Sequence, residues 1–299
     1  MSIAILNYPR ALQSAVHGLK DVLSYAEQVS GAALRLDVLE DFAGAAGAYA
    51  AVILPPSAGE VRAEEVPALP DFLERQHRHG AVICSACTGL AFVAEAGLAG
   101  GRKVTTHWAL EQRLRAAYPR LVIDTDQLLI EYTDLVTAGG LMAWVDLALA
   151  LIERFLGYAV AADTARHFIV EFRRRDQRRF RRFLPDLRHG DAAILKAQHF
   201  LETRFAGPVT VEEMAAAGSL PGRTFQRRFK MATGLSPKSY IQELRIERAR
   251  DLLIETQKSV SEICYATGYN DPPSFVRLFT RLSGLPPGAF REHYRRETG

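Results

Sequence analysis

"VEEMAAAGSLPGRTFQRRFKMATGLSP", residues 211–237, returns as "VSEICYATGYNDPPSFVRLFTRLSGLPP", residues 260–287. Ahead of the turn the copies are offset by 49 residues, as in Glu213 and Glu262. Beyond it the offset is 50, aligning Phe225 with Phe275, Phe229 with Phe279, Gly234 with Gly284 and Pro237 with Pro287. One residue is added in the second turn and the pattern then resumes, which marks a duplicated unit. Each copy reads as helix, tight turn, helix. Ala215 and Cys264 are small where the two helices would cross. Ser219 and Gly268 follow four residues later, where a permissive residue eases the turn.

The second helix of each copy carries Phe-x-Arg-x-Phe. Phenylalanines four apart share a helix face and should enter a core. The arginine between them, Arg227 or Arg277, lies roughly 200° around the helix from the first Phe and should face outward. Arg223, Gln226 and Lys230 share much of that outer surface in the first copy. Arg can donate two bonds to guanine and Gln can pair with adenine in the major groove. Between the copies, "SPKSYIQELRIERARDLLIET" (Ser236–Thr256) has Ser at an N-cap position, Pro at N1 and no later breaker. Such a helix of about 19 residues spans ~29 Å, near the ~34 Å between successive major-groove faces on one side of DNA. A small helical bundle that never meets DNA is the plain alternative.

The charge distribution leans the same way. The chain has 299 residues, a formal charge of +3, 48% apolar and 24% charged residues, enough for about two globular domains. Residues 1–165 hold 12 Lys and Arg against 19 Asp and Glu, whereas residues 191–299 hold 16 against 12. An acidic front and a basic rear suggest that the rear meets a polyanion. Residues 166–190 hold 9 against 3 and include Phe172, Phe180 and Phe183. This segment is expected to be a connector, either a solvated charged face or a set of phosphate contacts. No run of about 18 apolar residues suggests a membrane span, and no secretory leader is evident. Three cysteines give no disulfide framework, so a cytoplasmic location is expected.

In the front half, short apolar runs alternate with helical segments. The runs are Ile3–Leu6, Leu34–Leu39, Ala50–Leu54, Ala81–Cys84 and Leu135–Ala138; the helical segments are Ala11–Val29, Val66–His79, Gly89–Gly97 and Leu141–Leu156. This alternation predicts an α/β fold with a doubly wound, mainly parallel sheet, its sites at the carboxyl ends of the strands. "ICSACTGLAFVAEAG" (Ile83–Gly97) puts Cys87 at such an end. Cys84 and Cys87 also form a lone Cys-x-x-Cys. A packed strand residue competes there with a redox pair, and no His or Cys cluster supports zinc. Cys264 reads as core.

Residues 191–299 resemble the DNA-binding domain of AraC/XylS-family transcription regulators, most closely over "GYNDPPSFVRLFTRLSGLPPGAFR" (Gly268–Arg291). By that resemblance Arg223, Gln226 and Arg227 fall on base-reading positions of the first recognition helix, and Ser274 and Arg277 on those of the second. Gly222 would loosen the start of the first. The front half resembles the flavodoxin-like PfpI domain of the class I glutamine-amidotransferase-like superfamily. Regulators joining the two parts form a GlxA-like group. The resemblance is carried by "CTGLAFVAEAGLAGGRKVTTHW" (Cys87–Trp108) and "VTAGGLMAWVDLAL" (Val136–Leu149), which includes Asp146. It implies Cys87 at a nucleophile elbow, His107 nearby, and Asp21 where relatives place a glutamate beside the cysteine.

Three departures argue against turnover. Thr88 stands where protease-like relatives have His, Asp21 is one methylene shorter than Glu, and Pro55 and Pro56 have no N–H to donate. The expected organisation is a PfpI-like domain over residues 1–160, an Arg-rich connector over 161–190 and an AraC-type domain over 191–299. The expected function is sequence-specific binding of double-stranded DNA, with no cofactor or metal. Cys87, His107, Asp21 and Thr88 are candidates for a pocket taking a small-molecule effector. A homodimer and contact with RNA polymerase are within the reach of such a regulator. Two alternatives stay open: a cysteine hydrolase or glyoxalase-like enzyme using Cys87 with a DNA-binding tail, and a front half that serves only to dimerise.

Overall fold

In a computed structural model the structure describes residues 1–44, 47–59, 61–172 and 176–294. Two compact units divide the chain, one ending at Gln177 and the other beginning at Arg178.

The first unit is built on β1 (Ser2–Leu6), β2 (Arg35–Leu39), β3 (Ala51–Leu54), β4 (Val82–Ala86), β5 (Lys103–Val104), β6 (Val122–Ile123), β7 (Leu129–Glu131) and β8 (Leu135–Ala138). The main sheet runs β2-β1-β3-β4-β8-β7, and β5 pairs with β6 separately. All pairings in the main sheet are parallel except β7 with β8. The strands β3, β4 and β8 are buried throughout, which is why they read as mainly apolar runs, with Ser85 and Thr137 the polar members: both faces are covered. Edge strand β2 instead exposes Arg35 and Val38 and sets Arg35 3.0 Å from Asp37, a charged edge that discourages further pairing.

The covering helices are α1 (Gln13–Ser30), α2 (Ala68–Arg78), α3 (Leu90–Glu95), α4 (Glu111–Ala117), α5 (Trp144–Leu156) and α6 (Tyr158–His167). Helix α1 buries Ala15, Val16, Leu19, Val22, Leu23 and Ala26, a stripe at helical spacing. Gly18 is needed on it, because a Cβ there would lie 2.4 Å from the Trp144 ring of α5. The five expected strands and four expected helical segments all occur, with ends shifted by a few residues. The structure adds the short strands β5, β6 and β7 and the helices α4 and α6.

The second unit is helical: α7 (Ala192–Arg204), α8 (Val211–Ala217), α9 (Gly222–Thr233), α10 (Pro237–Glu255), α11 (Val260–Ala266), α12 (Pro272–Ser283) and α13 (Pro287–Tyr294). The repeat is visible atom by atom. Thr210 and Glu213 form a reciprocal capping box on α8, and Ser259 and Glu262 form the same box on α11. Ser219 and Gly268 both take left-handed backbone, at φ 54° and 82°. Gly234 and Gly284 both end their helices left-handed, at φ 75° and 72°.

Each half has its own core. Ile194, Leu201, Met214, Phe225, Phe229 and Tyr240 fill the first; Ile246, Ile263, Cys264, Phe275, Phe279 and Phe290 fill the second. Helix α10 feeds both, Tyr240, Ile241 and Leu244 into one and Ile246, Ala249 and Leu253 into the other. It is the shared rod that its length predicts.

The segment expected as a connector, 161–190, spans the boundary between the two compact units. Its first part continues α6 within the α/β unit, and Arg178 onward belongs to the helical unit. Arg173, Arg174 and Arg175 lie outside the described residues.

Candidate nucleic-acid interface and ligand site

Helices α9 and α12 are the second helices of their repeats. Phe225 and Phe229 are fully buried with ring centroids 5.2 Å apart, and Phe275 and Phe279 repeat this at 5.9 Å. That anchoring fixes which face looks out. Arg223, Gln226, Arg227 and Lys230 are exposed on α9, and Ser274 and Arg277 on α12. The charged tips of Arg223, Arg227 and Lys230 meet no carboxylate among the described residues. Arg228, off this face, is spent internally: it grips Asp191, the N-cap of α7, at 2.6 and 2.9 Å. That arginine holds the Asp191 carboxyl below its ordinary range.

The two helices present their side chains differently. Helix α12 begins with Asp271 accepting the Ser274 N–H at 3.1 Å, followed by Pro272 and Pro273. The Ser274 hydroxyl in turn accepts from Arg277 at 2.6 Å, so the guanidinium leaves the helix in a set direction. Helix α9 begins after Pro221 with no side-chain cap, and Gly222 is its first residue.

Behind these helices, residues 178–183 form a strap across the helical unit. Glu247 accepts from Arg182 Nε at 2.9 Å and from the Phe183 N–H at 3.1 Å. Buried Arg250 donates to Glu247 at 3.0 Å, to the Arg181 carbonyl, and to the Leu282 carbonyl and Ser283 hydroxyl at 2.9 and 3.0 Å. Its cation therefore sits at the carbonyl end of α12, where the helix dipole favours it. Arg178 donates to the Arg281 carbonyl and Tyr294 to the Arg179 carbonyl. These arginines brace the helical unit, which the sequence pattern of a charged surface run did not reveal.

In the α/β unit, β4 runs straight into Cys87, whose φ of 55° is unusual for a residue other than glycine. Gly89 lets the following turn pack on β3, since a Cβ there would lie 3.0 Å from that of Leu54. The chain therefore turns sharply at Cys87 from strand into helix. Cys87 is buried, and burial pushes the thiol up to about 11 against the opposing pull of the Thr88 and His107 backbone N–H groups.

His107 approaches the sulfur through its main chain. Its ring Nδ1 accepts the Ala109 N–H at 3.1 Å, which closes the next turn, and burial lowers its pKa. Thr88 accepts the Ser57 N–H at 2.7 Å and lies 2.9 Å from the Ser57 hydroxyl, so the donor after Pro55 and Pro56 is already engaged. Tyr8 completes the group: its phenol donates to the Pro55 carbonyl, and burial raises its pKa beside Thr88 and Ser57.

The structure therefore brings Cys87, Thr88 and the backbone of His107 together, and adds Tyr8 and Ser57. It does not bring Asp21. That residue lies on the exposed side of α1, off the stripe that packs inward, and is not among the groups acting on Cys87. The β1–α1 loop supplies Tyr8 instead, its aromatic ring packed 5.2 Å from that of Phe92, a long-range contact that the sequence does not show. Cys84 lies fully buried in β4 with its thiol turned to the Val82 carbonyl. All three cysteines are free, and the described residues contain no group of three or more His, Cys, Asp or Glu placed to hold a metal. No helix among the described residues is long and apolar enough to cross a membrane.

Comparison with known proteins places both units. Residues 14–154 match the model of the DJ-1/PfpI family, and residues 214–293 match a helix-turn-helix domain model. The HTH-type transcriptional regulator ArgR of Pseudomonas aeruginosa is 31% identical over 80% of this chain and 72% of its own length. The HTH-type transcriptional regulator GlxA of Rhizobium meliloti is 30% identical over 73% of this chain and 68% of its own. A solved structure of a candidate transcriptional regulator from Vibrio parahaemolyticus shares the α/β fold, with a TM-score of 0.51 and 15% identity over 56% of this chain and 98% of that one. The chain belongs to the AraC-type helix-turn-helix transcription regulators that carry an amino-terminal DJ-1/PfpI-family domain.

Proposed function

We propose that α9 and α12 read successive major-groove faces of an operator while the α/β unit binds a small effector beside Cys87. The observation that carries the reading is the pair of buried Phe-x-Arg-x-Phe helices on one rod, with Arg223, Gln226, Arg227, Lys230, Ser274 and Arg277 exposed. Arg277 is a base reader in this scheme, and Lys230 a phosphate contact. The protein acts in the cytoplasm as a homodimer, and reaches RNA polymerase once on its site. Footprinting of the full-length protein on fragments of its own genome tests this: protected sites should share a sequence. Uniform, sequence-independent coverage would defeat the proposal.

Cys87 does not turn over substrate in this reading. Support comes from its raised pKa, the engaged Ser57 N–H and the use of the His107 ring elsewhere. The shift is upward, so the thiol stays protonated through neutral pH. Site-resolved alkylation by iodoacetamide should therefore keep rising with pH to beyond pH 10, near tenfold per unit. A plateau near pH 7 would restore the cysteine-enzyme alternative, which the intact elbow at φ 55° favours.

A further inference from the structure

Gln177, the last residue of the α/β unit, is only 2% exposed although it follows the Arg-rich run. Its side-chain nitrogen lies 2.9 Å from the Thr106 carbonyl, 3.0 Å from the Gln127 carbonyl and 3.2 Å from the Thr105 hydroxyl. Its backbone N–H donates to the Asp126 carbonyl at 3.2 Å, and Asp176 bridges to Gln127. Gly139, at the end of β8, makes the room: a Cβ there would lie 2.2 Å from the same nitrogen. Thr106 is shared with the elbow, because its hydroxyl donates to the Cys87 carbonyl at 2.6 Å. This is the carboxyl end of the sheet, where open α/β folds take their ligands.

Three oxygens thus converge on one nitrogen. A carboxamide has two N–H groups to offer them, whereas a primary ammonium has three. We propose that Gln177 is a built-in occupant of an acceptor cage formed by Thr105, Thr106 and Gln127 in the space Gly139 leaves, and that an effector with an N–H-donating head group, ammonium or amide, competes for it. The proposal rests on the α/β unit being the effector-binding part. Occupancy by the effector frees Gln177 and with it the chain leading to Arg178, where the helical unit begins. The bound and free forms differ in who fills the cage, which gives the ligand the differential affinity a switch requires.

The test uses the full chain, wild type and Gln177→Ala, with Gln177→Met as a variant that keeps volume but donates nothing. Limited trypsin digestion, read by mass spectrometry over residues 166–190, should run roughly tenfold faster in both variants, as expected when a buried hydrogen-bonding group is lost. Methylammonium chloride should raise the melting temperature of Gln177→Ala, while tetramethylammonium at equal ionic strength should not. In wild type, methylammonium should speed digestion. Propionamide in place of methylammonium distinguishes the head groups: an equal or larger effect makes the ligand an amide rather than an ammonium. Digestion of both variants at the wild-type rate, or equal effects of methylammonium and tetramethylammonium, would overturn the cage. Footprinting reads the other question separately. Normal operator protection with no digestion difference removes the cage alone, and the expected digestion pattern without specific protection removes the regulator reading alone.

Discussion

The two helix-turn-helix repeats share a backbone and differ in how they hold the exposed polar groups of their second helices. The second has an unstrained glycine at the turn, and its α12 is held by an aspartate cap, two prolines, and an arginine tied to the serine one turn before it. The first has a strained serine at the turn, no side-chain cap, a glycine at the helix start, and more free cations. Preorganised donors favour discrimination between bases, whereas mobile cations favour affinity for any phosphate backbone. On the proposed reading, the first repeat would then contribute more to finding DNA and the second more to choosing a site on it.

The largest effects test whether the two cores are equivalent. Phe229→Ala and Phe279→Ala each empty a fully buried ring site and should each cost about 3–5 kcal/mol. Because α10 enters both cores, urea denaturation followed by circular dichroism should show the helical unit lost in one step in either variant. A helical half that survives the loss of the other would make the repeats independent domains and break the comparison at its base.

Next come the contacts with DNA. Arg277→Ala should weaken specific binding by about 1–3 kcal/mol and relax preference at one base position. Lys230→Ala should instead weaken all sequences alike and lower the slope of log affinity against log salt by about 1. Ser274→Ala sharpens the contrast, being smaller in effect and informative in position. Relaxed preference at the base pair affected by Arg277→Ala would make Ser274 a positioning residue for that arginine. Loss at a neighbouring base pair would make it a reader itself. Fluorescence anisotropy on an operator and its single-base variants measures all three.

How much of this was legible in the sequence follows from the range of the forces involved. Repeats, caps and phenylalanine spacing are local patterns, and the strands β1, β3, β4 and β8 announce themselves because burial on both faces leaves mostly apolar residues. What stayed hidden depends on distant partners. Gln177 looks like one more polar residue in a basic run until Gly139 and Thr106 arrive from the sheet. Arg250 looks like part of a charged rod until the strap and the end of α12 close over it. Tyr8 carries no local signal, and placing Asp21 beside Cys87 by resemblance takes no account of which face of α1 packs inward. The strands β5 and β6 are two residues each, too short for any period to show.

The smallest expected effect concerns the turns themselves. Ser219 holds φ 54° with an exposed side chain, and its partner in the other repeat is already glycine. For an L-residue that conformation costs about 1–2 kcal/mol, which glycine would recover. Against this, glycine widens the unfolded ensemble and gives back about 0.4–1 kcal/mol. Relief wins by a margin of about 0.5–1 kcal/mol, so Ser219→Gly should raise the melting temperature by a few degrees. The reciprocal change has the opposite sign for a second reason besides strain. A Cβ at Gly268 would lie 2.9 Å from the carbonyl oxygens of both Phe205 and Ala206, and main chain cannot step aside as a flexible side chain can. Gly268→Ser should therefore destabilise by more than Ser219→Gly stabilises. Equal and opposite shifts would mean that φ alone governs both turns, and that the close approach of the α7–α8 segment to the second repeat contributes nothing.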